Sequence, residues 1–468
     1  MFNVFSLVSA ADNIQHINPM LIDMLPKIIR SQDAYAGQSQ WLPDKLARLN
    51  FQTQMDYDKA EVYLLRHSAE TMEDWRLRLH ASHYQNFYKP AIEGYVGMLS
   101  QYNMSDDIPQ SMLQWDEDIN REGANLRAFL LQCDRRQFMD GFVGVLVDYR
   151  NNRPYLALIH RQDIISWRHD LETGKLVQLV IRRSATDYGE FKAESYNQYW
   201  KLTPGLYEVY RDQNGNAVKE AEYEVRSESG AFLDEIPITF YPHDTLHPWG
   251  ITPPLYELAE SNFCHYNLYS TYSWGLNLSN FVMVVRIGAI TAGEENRAGK
   301  LVVGNYGMDL PLGGDLKLVE PTGSSAAPSR LELDKLEMNM KSLTLSFLQG
   351  GFSSSMTEDE VQLRSAQTRA SMATLATQKQ SAFAAIVRNW CLFTGEEPTG
   401  ELVMNANAIS LPLSPAEWRE LRETYITGML SVENFWKIIQ ARGGIPEGIT
   451  IEELLGGELA PLDGGSII

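Results

Sequence analysis

The stretch SRLELDKLEMNMKSLTLSFLQGGFSSSMTEDE, residues 329–360, organises the reading of this 468-residue chain. Ser329 and Glu332 have capping-box spacing, in which the hydroxyl accepts from the third N–H while the acid reaches back. Leu333, Leu336, Met340, Leu343 and Phe347 then recur at three and four, a narrow helical seam. A helix is therefore expected over 329–348, roughly 30 Å long. Arg330/Asp334 and Glu337/Lys341 are i,i+4 pairs on its solvated side, worth only about 0.2–0.5 kcal/mol each. Gly350-Gly351 stops it. The segment Gln349, Gly350, Gly351, Phe352, Ser353, Ser354, Ser355, Met356 carries no charge and no core character. Composition alone fits a plain linker, whereas its position between two capped helices fits a loop held at a fixed place. Thr357 with Glu358-Asp359-Glu360 caps the next helix, with acids at its positive end. That helix is expected to reach Thr394, roughly 55 Å if unbroken, with Gly395 just past its end.

Upstream, Pro253-Pro254 opens another long helix over about 254–279, because proline at the first helical position forfeits no hydrogen bond. Leu255, Leu258, Ala259, Asn262, Tyr266, Tyr269 and Ser273 form an aromatic, weakly polar stripe. Such a stripe suits packing beside another helix better than a deep core, while periodicity alone fits an ordinary core helix equally well. Between the two helices lies a Gly-rich apolar stretch with strand candidates at 281–287, 300–303 and 315–319.

The first 40 residues are poorly periodic and read as an arm or short helices. From residue 41 to 101 the pattern is helical: 57–80 carries Val62, Leu64, Leu65, Met72, Trp75 and Leu79, and 84–99 carries Phe87, Ile92, Tyr95, Val96 and Leu99. A further helix over 115–138 places Leu126, Phe129, Leu130, Cys133 and Phe138 on one face. The period then changes. Strands are expected at 142–149, 155–159, 176–182, 196–201, 206–211, 221–225 and 236–241, with turns at Asn151-Asn152 and Asn214-Gly215. The clustering of element types makes the chain α+β, with a mainly antiparallel sheet of about six strands behind a helical layer. After a short strand at 402–406, Ser414-Pro415-Ala416-Glu417 starts a helix that Gly428 ends. Ser431 caps another, which Gly443-Gly444 ends, and the remaining tail is Gly-rich.

Composition is that of a globular protein, 44% hydrophobic and 21% charged, which argues against disorder throughout. Sixty acidic against forty basic residues give a net charge of −20, the wrong sign for gripping a phosphate backbone. Cys133, Cys264 and Cys391 are odd in number and far apart, so they read as free buried thiols rather than a disulfide framework. No run of about 18 apolar residues suggests a membrane span, and the first ten residues lack the basic leader of a signal peptide.

The chemistry is mostly negative. There is no phosphate-binding Gly-x-x-x-x-Gly-Lys-Ser/Thr, no Gly-x-Gly-x-x-Gly and no Gly-x-Ser-x-Gly. His243 and His247 around Asp244 are the nearest approach to a metal set, but Pro242 and Pro248 frame them as a turn, and zinc wants three or four ligands. His80/His83 read as a helix-surface pair. Glu294-Glu295 and Glu358-Asp359-Glu360 fit an exposed loop and a helix cap better than acid/base pairs. The helical pair 415–442 has a helix-turn-helix outline, yet its second helix offers only Lys437 and Arg442, too few cations for a DNA reader. A carboxylate site built on Asp148, Glu190 or Asp234 is the enzymatic alternative.

The order of these elements resembles the portal (head–tail connector) proteins of tailed double-stranded DNA phages. Local wording resembles a portal subfamily long catalogued as a phage domain of unknown function: GFVGVLVD (141–148), RPYL (153–156), DIISWR (163–168), DEIP (234–237), PPLYELA (253–259) with His265-Tyr266, and SPAE (414–417) onward. The likeness covers about residues 40–445. It implies an N-terminal arm (1–40), a wing (41–250), a first stem helix (251–279), a β-rich clip (280–328), a second stem helix (329–348), a tunnel loop (349–357), a long wing helix with a returning strand (358–410) and a short helical crown and tail (411–468). It further implies a homo-oligomeric ring, usually of twelve, at one capsid vertex of the virion, assembled in the host cytoplasm. Double-stranded DNA passes through such a ring without sequence preference. Its expected partners are the terminase large subunit, a tail adaptor, and the major capsid and scaffolding proteins. No cofactor, metal, membrane or catalysis is implied. Arg330, Lys335 and Lys341 are nominated as channel-lining cations, and Glu294, Glu295, Asn296, Arg297 and Lys300 as the clip surface for terminase or adaptor. Another head-completion or adaptor ring subunit is the alternative within the virion.

Overall fold

The computed structural model describes residues 13–42, 57–68, 70–189, 192–213, 215–243, 245–279, 283–287, 315–319, 326–344, 358–404, 415–428 and 430–441. It is α+β. The chain divides into two compact units: Met1–Gln32, Pro90–Tyr256 and Thr344–Ile468 in the first, Asp33–Lys89 and Glu257–Leu343 in the second.

Among the described residues of the first unit, the single sheet expected is divided into a three-stranded and a five-stranded sheet. Strands β2 (Val143–Arg150), β3 (Arg153–His160) and β9 (Ile238–Tyr241) form an antiparallel set in the order β3-β2-β9. A five-stranded meander follows: β4 (Ile164–His169), β5 (Leu176–Tyr188), β6 (Ala193–Thr203), β7 (Leu206–Gln213) and β8 (Asn216–Glu224). The break between sheets is a single 3-10 turn, Arg161–Asp163, too short to register in the strand pattern. β2 is buried at five successive residues. Its alternating side chains are therefore covered on both faces. Asn151 and Asn152 both take positive φ, 53° and 58°, as a two-residue hairpin turn requires.

Helices α4 (Tyr88–Leu99), α6 (Leu126–Asp140) and α9 (Glu358–Thr394) carry the helical part of this unit. Asn125 caps α6 by accepting from Ala128 N. α9 is 37 residues long, about 55 Å, and its ends coincide with the sequence expectation. Its stripe Phe383, Ile386, Val387 and Trp390 enters one core with Phe129, Leu130, Val145, Leu146 and Phe240. A short pairing of β1 (Tyr102–Met104) with β12 (Leu402–Met404) closes the chain back onto this region.

Of residues 1–40, expected as an arm or short helices, 19–36 form one 18-residue helix, α1 (Pro19–Ala36). Asn18 caps it by accepting from Met20 N, and Pro19 occupies its first position, where a missing N–H costs nothing. Pro26 interrupts the hydrogen-bond ladder and obscured the series Leu21, Leu25, Ile28. These residues pack on Ile165, Val180 and Tyr199 of the meander. Leu179, Ile181 and Leu202, on the opposite face, join the main core.

In the second unit, the continuous helix expected over 57–80 is two: α2 (Asp58–Tyr63) and α3 (Met72–Ala81). Leu64, Trp75 and Leu79 are buried, whereas Val62, Leu65 and Met72 are exposed. α7 (Tyr256–Ser279) and α8 (Ala326–Ser342) are the long helices here, and β10 (Met283–Ile287) pairs antiparallel with β11 (Asp315–Val319). The strand expected at 300–303 lies outside the described residues. α8 begins three residues before Ser329, so Ser329 is not its cap. Ala326 and Ala327 are strong helix formers, and Pro328 is tolerated in a first turn. The first unit also contains α5 (Gln110–Gln114), α10 (Pro415–Ile426) and α11 (Val432–Ala441). Ser431 caps α11 by accepting from Asn434 N.

One glycine holds the joint between the sheets. Gly141 ends α6 at φ +89°. A Cβ there would lie 2.7 Å from Arg161 Nη1 and 2.9 Å from the Ile251 carbonyl. Arg161 is buried in that 3-10 turn and donates to the carbonyls of Asp140, Ile251 and Trp249. Gly141→Ala is expected to lose at least about 1–3 kcal/mol from the left-handed backbone alone. A urea midpoint equal to that of the parent would contradict this account of the joint.

Candidate functional site

The long helix α9 is fixed by a fully buried charge. Along it, Met372, Ala376, Lys379, Phe383, Ile386 and Trp390 recur at four and three, and all are buried. Lys379 Nζ lies 2.7 Å from Asp134 Oδ2 and 2.8 Å from the Leu99 carbonyl, and 4.4 Å from the centre of the Tyr102 ring. The Tyr241 hydroxyl donates to the other oxygen of Asp134. One ammonium thus joins α9, the end of α4, α6 and β1, with β9 reached through Tyr241. Burial pushes the Asp134 carboxyl up, against the downward pull of Lys379 and Tyr241. Burial and the neighbouring carboxylate hold the Tyr241 phenol well above its ordinary value.

In the second unit, α7 supplies core side chains. Phe263 and Tyr266 are buried against Trp41, Tyr63 and Tyr84. Asn262, also buried, accepts from Phe87 N and Tyr88 N and donates to the Gln85 carbonyl. Buried Arg78 pairs with Glu70 at 2.7 Å and reaches Ser270 Oγ. That guanidinium holds the Glu70 carboxyl below its usual range. Of the two readings of the α7 stripe, these contacts fit the core helix, with buried Asn262 and Ser270 each meeting a specific partner.

His265 faces Glu337 of α8, with Nε2 3.5 Å from Oε1, and is 1% exposed. On α8, Leu333 and Met340 are buried and Leu336 is half-buried. Leu343 is 43% exposed and Phe347 lies outside the described residues. The opposite side of α8 shows Leu331 and Met338 to solvent.

The three nominated cations sit on exposed positions of α8, each beside an acid of the same helix: Arg330–Asp334 at 2.9 Å, Lys335–Glu332 at 3.3 Å and Lys341–Glu337 at 3.9 Å. The nominated loop Gln349–Met356 and the clip residues Glu294, Glu295, Asn296, Arg297 and Lys300 lie outside the described residues. So do Asp244 and Glu190. The His247 ring lies 4.2 Å from that of His169, tilted by 40°. Among the described residues no group of three or more His, Cys, Asp or Glu is placed to hold a metal. Asp148 accepts from the Tyr155 hydroxyl at 2.6 Å, and Asp234 is exposed on a loop. Cys133 and Cys391 are buried, but Cys264 is exposed, against expectation. Among the described residues no helix is long and apolar enough to cross a membrane. Sequence reading missed Lys379. Its signal was a lysine standing inside an unbroken apolar series.

Residues 254–393, from the start of α7 almost to the end of α9, match the family described as a domain of unknown function, DUF4055. No curated protein matches the chain. Solved structures that align with it include the neck of an empty gene transfer agent (GTA) particle computed with C6 symmetry, at 12% identity and TM-score 0.36, covering 77% of this chain and 90% of that one. A chain from the virion of the native GTA particle aligns at 12% identity and TM-score 0.37, covering 78% and 91%. A chain of the native GTA neck computed with C12 symmetry aligns at 13% and 0.36, covering 77% and 90%.

Two outcomes follow from the buried groups. Lys379→Met strands the Asp134 charge and is expected to cost about 3–5 kcal/mol, whereas adding Asp134→Leu recovers most of the loss. Additive losses in denaturant melts would show that the pair is not coupled. Burial holds the His265 imidazole below its ordinary value, so the unfolded chain takes up this proton first, near pH 6.5. The stability contribution is complete above that pH and is lost as pH falls through it towards the folded value. The drop in thermal midpoint between about pH 7.5 and 5.5 should therefore be smaller in His265→Phe than in the parent. Equal drops would contradict the assignment.

Proposed function

We propose that this chain is a phage portal protein: a ring of identical copies at one capsid vertex, through which double-stranded DNA enters and leaves. The observation that carries the reading is the run α7, β10/β11, α8, then α9. Two long helices flank a β pairing and precede a 37-residue helix whose C-terminal half is keyed into the sheet core. The family match spans this same run. In this reading α7 and α8 are the stem, residues 280–328 the clip that receives a terminase large subunit and later a tail adaptor, and residues 349–357 the tunnel loop. Major capsid and scaffolding proteins surround the ring. The chain itself hydrolyses nothing, in keeping with the missing phosphate-binding loop.

The physics supports a conduit. A closed ring needs heterologous contacts between copies, and α8 offers apolar Leu331 and Met338 on a side its own unit leaves exposed. A net charge of −20 keeps a polyanion from adhering during passage. The self-paired Arg330, Lys335 and Lys341 leave only weak cationic character on that helix. An adaptor or head-completion ring is the alternative within the virion, and an enzyme with a carboxylate site the alternative outside it.

Removing residues 350–355 separates these readings. A portal lacking its tunnel loop should still form rings in electron micrographs, yet package or retain less DNA. Undiminished packaging by the deleted chain would remove the tunnel-loop assignment. A parent chain that stays monomeric at high concentration would remove the ring.

A further inference from the structure

Where α9 ends, the first unit opens into a cleft of about 620 Å³. Tyr149 and Phe393 stack on one part of its lining, with rings 5.8 Å apart at 10°. Trp200 and Tyr223 stack on another, 6.3 Å apart at 22°. Tyr149 and Tyr223 are 44% and 46% exposed, so each keeps part of its surface open to solvent.

The lining carries three carboxylates, Asp148, Glu224 and Glu228, against two guanidinium groups, Arg150 and Arg226. A helix C-terminus carries partial negative charge, and the last turn of this long helix contains no basic residue to offset it. Glu228 is laid against the same end. Its N–H donates to the Leu392 carbonyl, and a Cβ on Gly395 would sit 3.2 Å from Glu228 Oε2. Asp148 lines the cleft as well. Neither Glu228 nor Asp148 has an ion-pair partner among the described residues, whereas Glu224 is neutralised by Arg226 at 2.9 Å. A carboxylate beside the negative end of a helix is unfavourable alone and becomes favourable when a cation arrives.

A separate observation marks the floor. Tyr207 lines the cleft and is 2% exposed, and its hydroxyl has no hydrogen-bond partner among the described residues. Burial, reinforced by the nearby Asp148 carboxylate, holds the phenol well above its ordinary value. The hydroxyl thus stays neutral, with its oxygen unused. Buried polar groups are normally paired, and a donor entering the cleft would complete this one.

We propose that the cleft receives a basic side chain, arginine in preference to lysine, from a partner protein. Aromatic faces attract cations through their quadrupoles. A planar guanidinium adds stacking and several donors, which suits Tyr149, Tyr223 and the unpaired Glu228 together. Arg150, on the rim, is exposed and forms no ion pair among the described residues. It is the internal competitor for the same carboxylates. The cleft lies wholly within the first unit and does not require a ring.

The test uses the full-length chain at about 150 mM salt, where charges further apart than about 8 Å are screened. The probe is N-acetyl-arginine amide, followed by ligand-observed NMR, with the norleucine and glutamate amides as controls. The arginine amide should bind saturably and the controls should not. Glu228→Gln and Tyr149→Ala should each weaken binding by about five- to tenfold, the loss of one cation–π or charge contact. Arg150→Gln should leave binding unchanged or tighter. Glu172→Gln, an exposed acid outside the cleft, should have no effect. Absence of binding, equal binding of the norleucine amide, or equal weakening by Glu172→Gln would overturn the proposal, the last by reducing it to attraction towards an acidic protein.

Discussion

A charge with no access to water must be answered by its surroundings, and in this protein that charge is Lys379. Its ammonium meets a carboxylate, a carbonyl and an aromatic face, each from a different element. Such an arrangement adds little net stability over apolar packing. What it adds is position: α9 cannot slide by a turn along α6 without stranding both Lys379 and Asp134. Apolar contacts alone tolerate such slips, because one leucine-sized surface resembles the next. The register of the longest helix among the described residues, and with it the place where that helix ends, rests on this one pair.

The end of α9 shows why the register matters. Gly395 and Glu228 meet there, and Phe393 stacks on the β2–β3 hairpin through Tyr149. At the other end the helix leads back to residues 349–357 and α8, the segment on which the functional reading turns. α9 itself is 37 residues long, about 55 Å, and is pinned by its C-terminal half.

The long helices were largely legible in the sequence because their ends carry local chemistry. Glu358 and Gly395 bound α9 as expected, and Pro253-Pro254 announced α7 within two residues. The misreadings have local causes too. Ser329 and Glu332 have the right spacing for a cap, but Ala326 and Ala327 extend the helix past them. Pro26 disguised α1, and the three-residue turn at Arg161 hid the division into two sheets, since sheet membership depends on which strands pair and not on which residues favour strand. Asn262 and Arg78 are buried polar groups that a hydrophobic pattern does not reveal, because the partners that satisfy them are distant in sequence. The cleft was illegible for the same reason: Asp148, Tyr207, Glu228 and Phe393 come together only through tertiary packing.

Composition and architecture point the same way. The acidic surface discourages lasting contact with nucleic acid, the helices are long and tightly registered, and α8 leaves an apolar side unused by its own unit. A chain built this way is suited to form a wall, and its most direct test is its assembled mass. Native mass spectrometry of the purified full-length chain should give a species at a fixed integer multiple of 53.1 kDa, twelve copies in the ring proposed, that persists on dilution. A single species at 53.1 kDa across all concentrations would contradict the account.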